Sequence, residues 1–98
     1  MTDADISRIA FVRSTPVETR SGLLGWCSFT LGNLIRIDGV TVRRTRTGRL
    51  ALGFPSRRDR AGIAHPYLRP VDDVTRRQLE DAVFEALGID PQGGHDGR

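Results

Sequence analysis

The sequence predicts a small α+β domain, an antiparallel sheet of about four strands followed by one C-terminal amphipathic helix. Three observations predict it. Short runs of alternating apolar residues fill positions 6 to 54; Gly, Asn and Asp punctuate them; and Leu79, Ala82, Val83, Ala86 and Leu87 recur at helical spacing. The chain has 98 residues, enough for one domain, assigned here to residues 1–89 with a tail at 90–98. Its 38% hydrophobic and 28% charged residues belong to a globular chain rather than a disordered one. Stability at this size is marginal, so self-association into a homodimer is expected to add burial.

The first strand is expected over Ile6 to Arg13, rich in β-branched and aromatic residues, and the Ser-Thr-Pro-Val-Glu-Thr-Arg-Ser-Gly run after it reads as a loop. From Leu23 to Leu31, alternation places Leu23, Cys27, Phe29 and Leu31 on one face and Leu24, Trp26, Ser28 and Thr30 on the other. Gly32-Asn33 reads as a tight turn into a strand over Leu34 to Thr45. In that strand Ile35 and Ile37 alternate in one phase and Val40 and Val42 in the opposite one. The slip falls on Asp38-Gly39, as a β-bulge requires; a break into two short strands is the competing reading. Arg46-Thr47-Gly48 connects to a strand over Arg49 to Phe54 with Leu50, Leu52 and Phe54 inward, and Pro55 stops it. Residues 55 to 71 hold three prolines and read as irregular. The helix then begins at a cap supplied by Asp72 or Asp73, with Thr75 and Gln78 as the alternative box. It ends at Gly88, with Ile89 folding back on Phe84. The Gly-rich tail from Asp90 to Arg98 has no apolar residue and is expected to be disordered.

No segment approaches the roughly 20 apolar residues that a spanning helix needs, and the acidic N-terminus is unlike a signal peptide, so a cytoplasmic protein without membrane contact is expected. The single cysteine, Cys27, alternates with core residues and reads as inert. With His65 and His95 far apart, no metal site is expected. No phosphate-binding glycine motif, nucleophile–base pair or carboxylate dyad is visible; Asp72-Asp73 suit a cap, and Glu80 and Asp81 suit ion pairs with Arg76 and Arg77. The expectation is no enzyme, no cofactor and no small-molecule substrate.

Charge is the remaining signal. All fifteen basic residues are arginine, and the net charge is +3. Residues 36 to 60 carry eight Arg against two Asp, whereas 61 to 98 carry four Arg against seven acids. Arg43, Arg44, Arg46 and Arg49 fall on one predicted hairpin, and Arg57, Arg58 and Arg60 follow the next strand. Such a density of like charge repels itself and suits a polyanionic partner, DNA or RNA. An edge kept solvated against aggregation is the plainer reading. His65, held between Ala64 and Pro66, reads as a structural residue hydrogen-bonding loop backbone, and Trp26 beside Leu24 as a side chain that packs on another subunit or the helix rather than one that stacks a base.

Ser-Phe-Thr-Leu (28 to 31), Asp38-Gly39, Pro-Ser-Arg-Arg (55 to 58), Ile63-Ala64-His65-Pro66 and the Thr-Arg-Arg-Gln-Leu-Glu-Asp-Ala-Val run (75 to 83) occur in an order that resembles the bacterial septation protein SpoVG family. The resemblance spans roughly residues 6 to 87. It implies a dimeric α+β regulator of sporulation, septation or virulence genes that binds nucleic acid with little sequence preference and has no enzyme activity. By position, Arg57 and Arg58 match the family's basic pair after Pro-Ser. The shorter stretch between Ser56 and Ile63, the longer segment before the helix and the Gly-rich tail depart from the family pattern, and the Arg43 to Arg49 hairpin is not one of its hallmarks. A dimeric module that binds an acidic protein partner, without nucleic acid, is the alternative function.

Overall fold

The computed structural model describes residues 5–89; the expected tail at 90–98 lies outside them. Four strands, β1 (Ile6–Arg13), β2 (Leu23–Leu31), β3 (Ile35–Arg44) and β4 (Leu50–Gly53), form an antiparallel sheet in sequential order. A helix α2 (Asp73–Leu87) packs on one face of it, which makes the domain α+β. Among the described residues no helix is long and apolar enough to cross a membrane.

Alternation in β2 follows from one-sided burial, with Cys27 and Phe29 inside beside Ile37, Val40 and Val42 of β3 and Leu50 and Leu52 of β4. Leu79, Val83 and Phe84 of α2 close this core. The bulge at Asp38-Gly39 is present: Cys27 pairs Val40 and Phe29 pairs Ile37, so both residues face Ser28 alone. Gly39, at φ 72°, takes the left-handed conformation that brings both halves of β3 inward. β3 is therefore one strand, and the two-strand alternative fails.

A second bulge lies in β1, where Ser7 pairs Thr30 and Ala10 pairs Ser28, leaving Arg8 and Ile9 across from Phe29. It reconciles the spacing of Ile6, Ile9 and Phe11, all packed on the core. Arg8 holds φ 52° without being glycine, and its carbonyl accepts from Arg36 Nη1 at 2.6 Å. A third irregularity between Leu23 and Gly25 corrects the expected β2 faces. Leu24 packs against the core cluster, and Leu23 is buried outside it.

The Ser14 to Gly22 run, expected as a loop, contains a short helix α1 (Pro16–Arg20) packed on β2. Thr15 and Glu18 form its reciprocal capping box, with Glu18 N–H donating to Thr15 Oγ1 at 3.2 Å and Thr15 N–H to Glu18 Oε1 at 2.9 Å. Buried Ser14 donates its hydroxyl to Leu23 O at 2.6 Å and ties this corner to the sheet. β4 is shorter than expected, and Phe54 is half-buried beyond its end.

Asp72 caps α2, accepting from Thr75 N–H at 2.7 Å, which holds its carboxyl below the usual carboxylate range. At the other end the amides of Gly88 and Ile89 donate to Glu85 O and Phe84 O, closing the helix as the sequence predicts. β4 is an outer strand, and α2 covers its open edge with side chains. Leu52 N–H donates to buried Glu80 at 3.0 Å, and Arg76 Nη1 donates to Leu52 O at 3.2 Å. Arg76 also lies 3.5 Å from Glu80 and 5.8 Å over the Phe54 ring. Two charged side chains thereby replace a neighbouring strand.

Residues 55 to 71 are not wholly irregular, which corrects the expectation from their prolines. β5 (Ser56–Arg58) and β6 (Ala64–Pro66) pair as a separate two-stranded antiparallel sheet. All six residues are exposed, so no apolar alternation announces them.

Candidate nucleic-acid interface

The seven arginines grouped by sequence lie on two hairpins that leave β4 at opposite ends. Arg43 and Arg44 end β3, Arg46 stands in the turn and Arg49 precedes β4; the first three are exposed and Arg49 is half-buried. The turn closes through Thr45 N–H to Arg49 O at 2.7 Å and Gly48 N–H to Thr45 O at 2.9 Å. Arg44 Nη1 donates to Gly48 O at 3.1 Å. Arg49 sits near Asp73, Arg76 and Arg77 of α2, beside the covered edge of β4.

At the other end of β4, the β5–β6 hairpin makes little contact with the main sheet or helices and presents Arg57, Arg58 and Arg60 to solvent. Its turn is tied together by Asp59. Asp59 N–H donates to Ile63 O and Gly62 N–H to Asp59 O, both at 3.0 Å, with Gly62 at φ 84°. The Asp59 carboxylate accepts from the amides of Ala61 and Ile63, each at 2.9 Å, and its second oxygen lies 2.8 Å from His65 Nε2. The His65 bond and then the Ile63 amide hold the Asp59 carboxyl below its ordinary range, so it stays ionised. Sequence reasoning missed Asp59, though an Asp followed three residues later by Gly is a turn signal. His65 bonds this side chain, not loop backbone.

Arg57 pairs His65 and Arg58 pairs Ala64 across the strands, so the two arginines project to opposite sides of the hairpin. Arg58 spends one donor on Gly62 O at 2.7 Å, leaving the rest of its guanidinium for an external acceptor. Ile63 is exposed at 58%, a further indication that the Ile63 to Pro66 run is part of a projecting arm and not of the core.

Other chemistry is sparse among the described residues. Burial raises the Cys27 thiol to about 11, so it stays protonated at neutral pH. No cluster of three metal-ligating side chains occurs among the described residues. The arrangement suits binding of extended anions along exposed guanidinium groups. The chain matches no protein-family model and no curated protein.

Proposed function

We propose that the protein is a small, dimeric nucleic-acid-binding regulator that grips the phosphate backbone of DNA or RNA through arginines, in the manner implied by its resemblance to the SpoVG family and its roles in gene expression, septation or sporulation. The observation that carries this reading is the β5–β6 hairpin, where Asp59 organises the backbone and Arg57, Arg58 and Arg60 are exposed. Arginines on a narrow two-stranded arm and a turn offer no helix to a major groove, so contacts to phosphate are favoured over base reading. Arg43, Arg44, Arg46 and Arg49 at the far end of β4 extend the basic surface. The experiment is an electrophoretic shift with DNA and with RNA, alongside absorbance at 260 nm of protein purified at low salt. Copurifying nucleic acid that high salt strips supports the reading; protein free of nucleic acid that shifts neither polymer refutes it.

A further inference from the structure

The sheet face turned away from α2 carries Trp26 at its centre. Trp26 lies on inner strand β2, directly across from Val12 of β1 and Thr41 of β3, and Gly53 of β4 follows Thr41 in the same row. A Cβ at Gly53 would overlap Thr41 Oγ1, so this row stays low beside the indole. Its neighbours on that face, Ser28, Thr30 and Thr41, are small and half-buried, while Cys27, Phe29 and Val40 on the opposite face are buried. The irregularity at Leu24 changes the meaning of the Trp. Leu24 packs with the core, so the Trp26-Leu24 apolar pair that the sequence suggests does not form; buried Leu23 stands on this face instead, across from Arg43, and leaves Trp26 and Val12 as the apolar groups among small side chains.

Charge on this face is mostly positive. Arg36 lies across the sheet, its Nη1 donating to Arg8 O at 2.6 Å and to Thr30 Oγ1 at 3.2 Å; Asp38 is the acid beside it, 3.8 Å from Nε. Arg43 is exposed on the other side, two residues along β3 from Thr41, a step of about 7 Å. We propose that this face is a stacking platform for single-stranded nucleic acid, with a base on Trp26 and the adjoining phosphate on Arg43. The proposal rests on the nucleic-acid reading above and narrows its ligand. Bases of a duplex keep their faces stacked on one another, and only an unpaired base offers its π-face to an indole. A protein partner or a second copy would call for a broader apolar patch than Trp26 and Val12 supply.

Trp26 is the single tryptophan of the chain, so its emission reports on this face directly. The test titrates the full chain at low salt with oligodeoxythymidine, with a duplex of equal length and with inorganic polyphosphate. The single strand is expected to quench Trp26, and polyphosphate to compete for binding without quenching. Trp26→Ala should weaken the single strand roughly tenfold or more and leave polyphosphate affinity unchanged, with Trp26→Phe restoring most of the loss. If Trp26→Ala does not fold, Arg43→Ala, at an exposed position, should cut the quench at a fixed oligonucleotide concentration. Binding of all three polymers with no quench, or a quench untouched by Arg43→Ala, overturns the platform and leaves phosphate binding standing. Emission that shifts with protein concentration and ignores the oligonucleotide puts a second copy on the face and also overturns it. Binding of neither DNA nor polyphosphate refutes the broader reading as well.

Discussion

Asp59 is the residue on which the candidate site turns, because one carboxylate fixes two amides and one imidazole in a hairpin with little other support. Asp59→Asn is expected to leave the melting temperature of the domain nearly unchanged while the Ala61 and Ile63 amides lose protection, read by hydrogen exchange; retained protection would contradict the role. The pH dependence has a definite sign. A carboxyl whose folded-state pKa is lowered stabilises above its unfolded pKa, about 4, and that contribution is lost as pH falls through the lower folded value. The Ala61 and Ile63 amide shifts should therefore hold from pH 7 to about 4 and move below it. Movement already between pH 7 and 5 would contradict control by the Asp59 carboxyl. The arginines of the site were legible as charge and as two sets with a strand between them, whereas the exposed two-stranded arm that carries the second set was not. Positions 43 to 60 are continuous in sequence, and the intervening strand β4 sends the two sets apart. Asp59 escaped notice because, among so many arginines, an acid reads as a counter-charge rather than as a turn.

At the scale of elements, the boundaries of β1, β2 and α2 were legible because alternation and caps are local. The bulge of β3 was legible through the phase slip at Asp38-Gly39. That of β1 was not, since Arg8 gives no glycine to mark it. Replacing Arg8 with Gly removes the left-handed penalty of about 1–2 kcal/mol at some entropic cost, so Arg8→Gly should stabilise by up to about 1 kcal/mol in urea unfolding. A loss of more than about 1 kcal/mol would show that the Arg8 side chain matters more than its backbone. The pinning of β4 by α2 was equally hidden, because it joins residues 28 apart through side chain and backbone. Glu80→Ala leaves the buried Leu52 amide without its acceptor and should cost about 1–3 kcal/mol. An unchanged midpoint would mean that water takes its place. α1 was missed although Thr15, Pro16 and Glu18 spell its start, for five residues carry no hydrophobic stripe to support the cap signal.

For the whole molecule, a core of this size invites further burial; exposed Val71 lines an apolar groove of about 440 Å³ with Leu31, Phe54, Leu68 and Leu79, and exposed Val74 precedes its lining residue Thr75 at the start of α2. A second copy is the occupant we expect there. Sedimentation should then give about 22 kDa, twice the 10.8 kDa chain, and Val71→Asp with Val74→Asp should return it to the monomer mass. A wild-type monomer at tens of micromolar would contradict the dimer. Exposed arginines on the β5–β6 arm that hold phosphates make affinity depend steeply on salt. Each phosphate contact adds about 0.9 to the slope of log affinity against log salt on duplex DNA and about 0.7 on a single strand. Arg57→Ala with Arg58→Ala should flatten that slope by roughly 1 to 2 units, with a loss nearly uniform across sequences. An unchanged slope would place the phosphate contacts elsewhere, and a loss confined to one sequence would show that these arginines read bases.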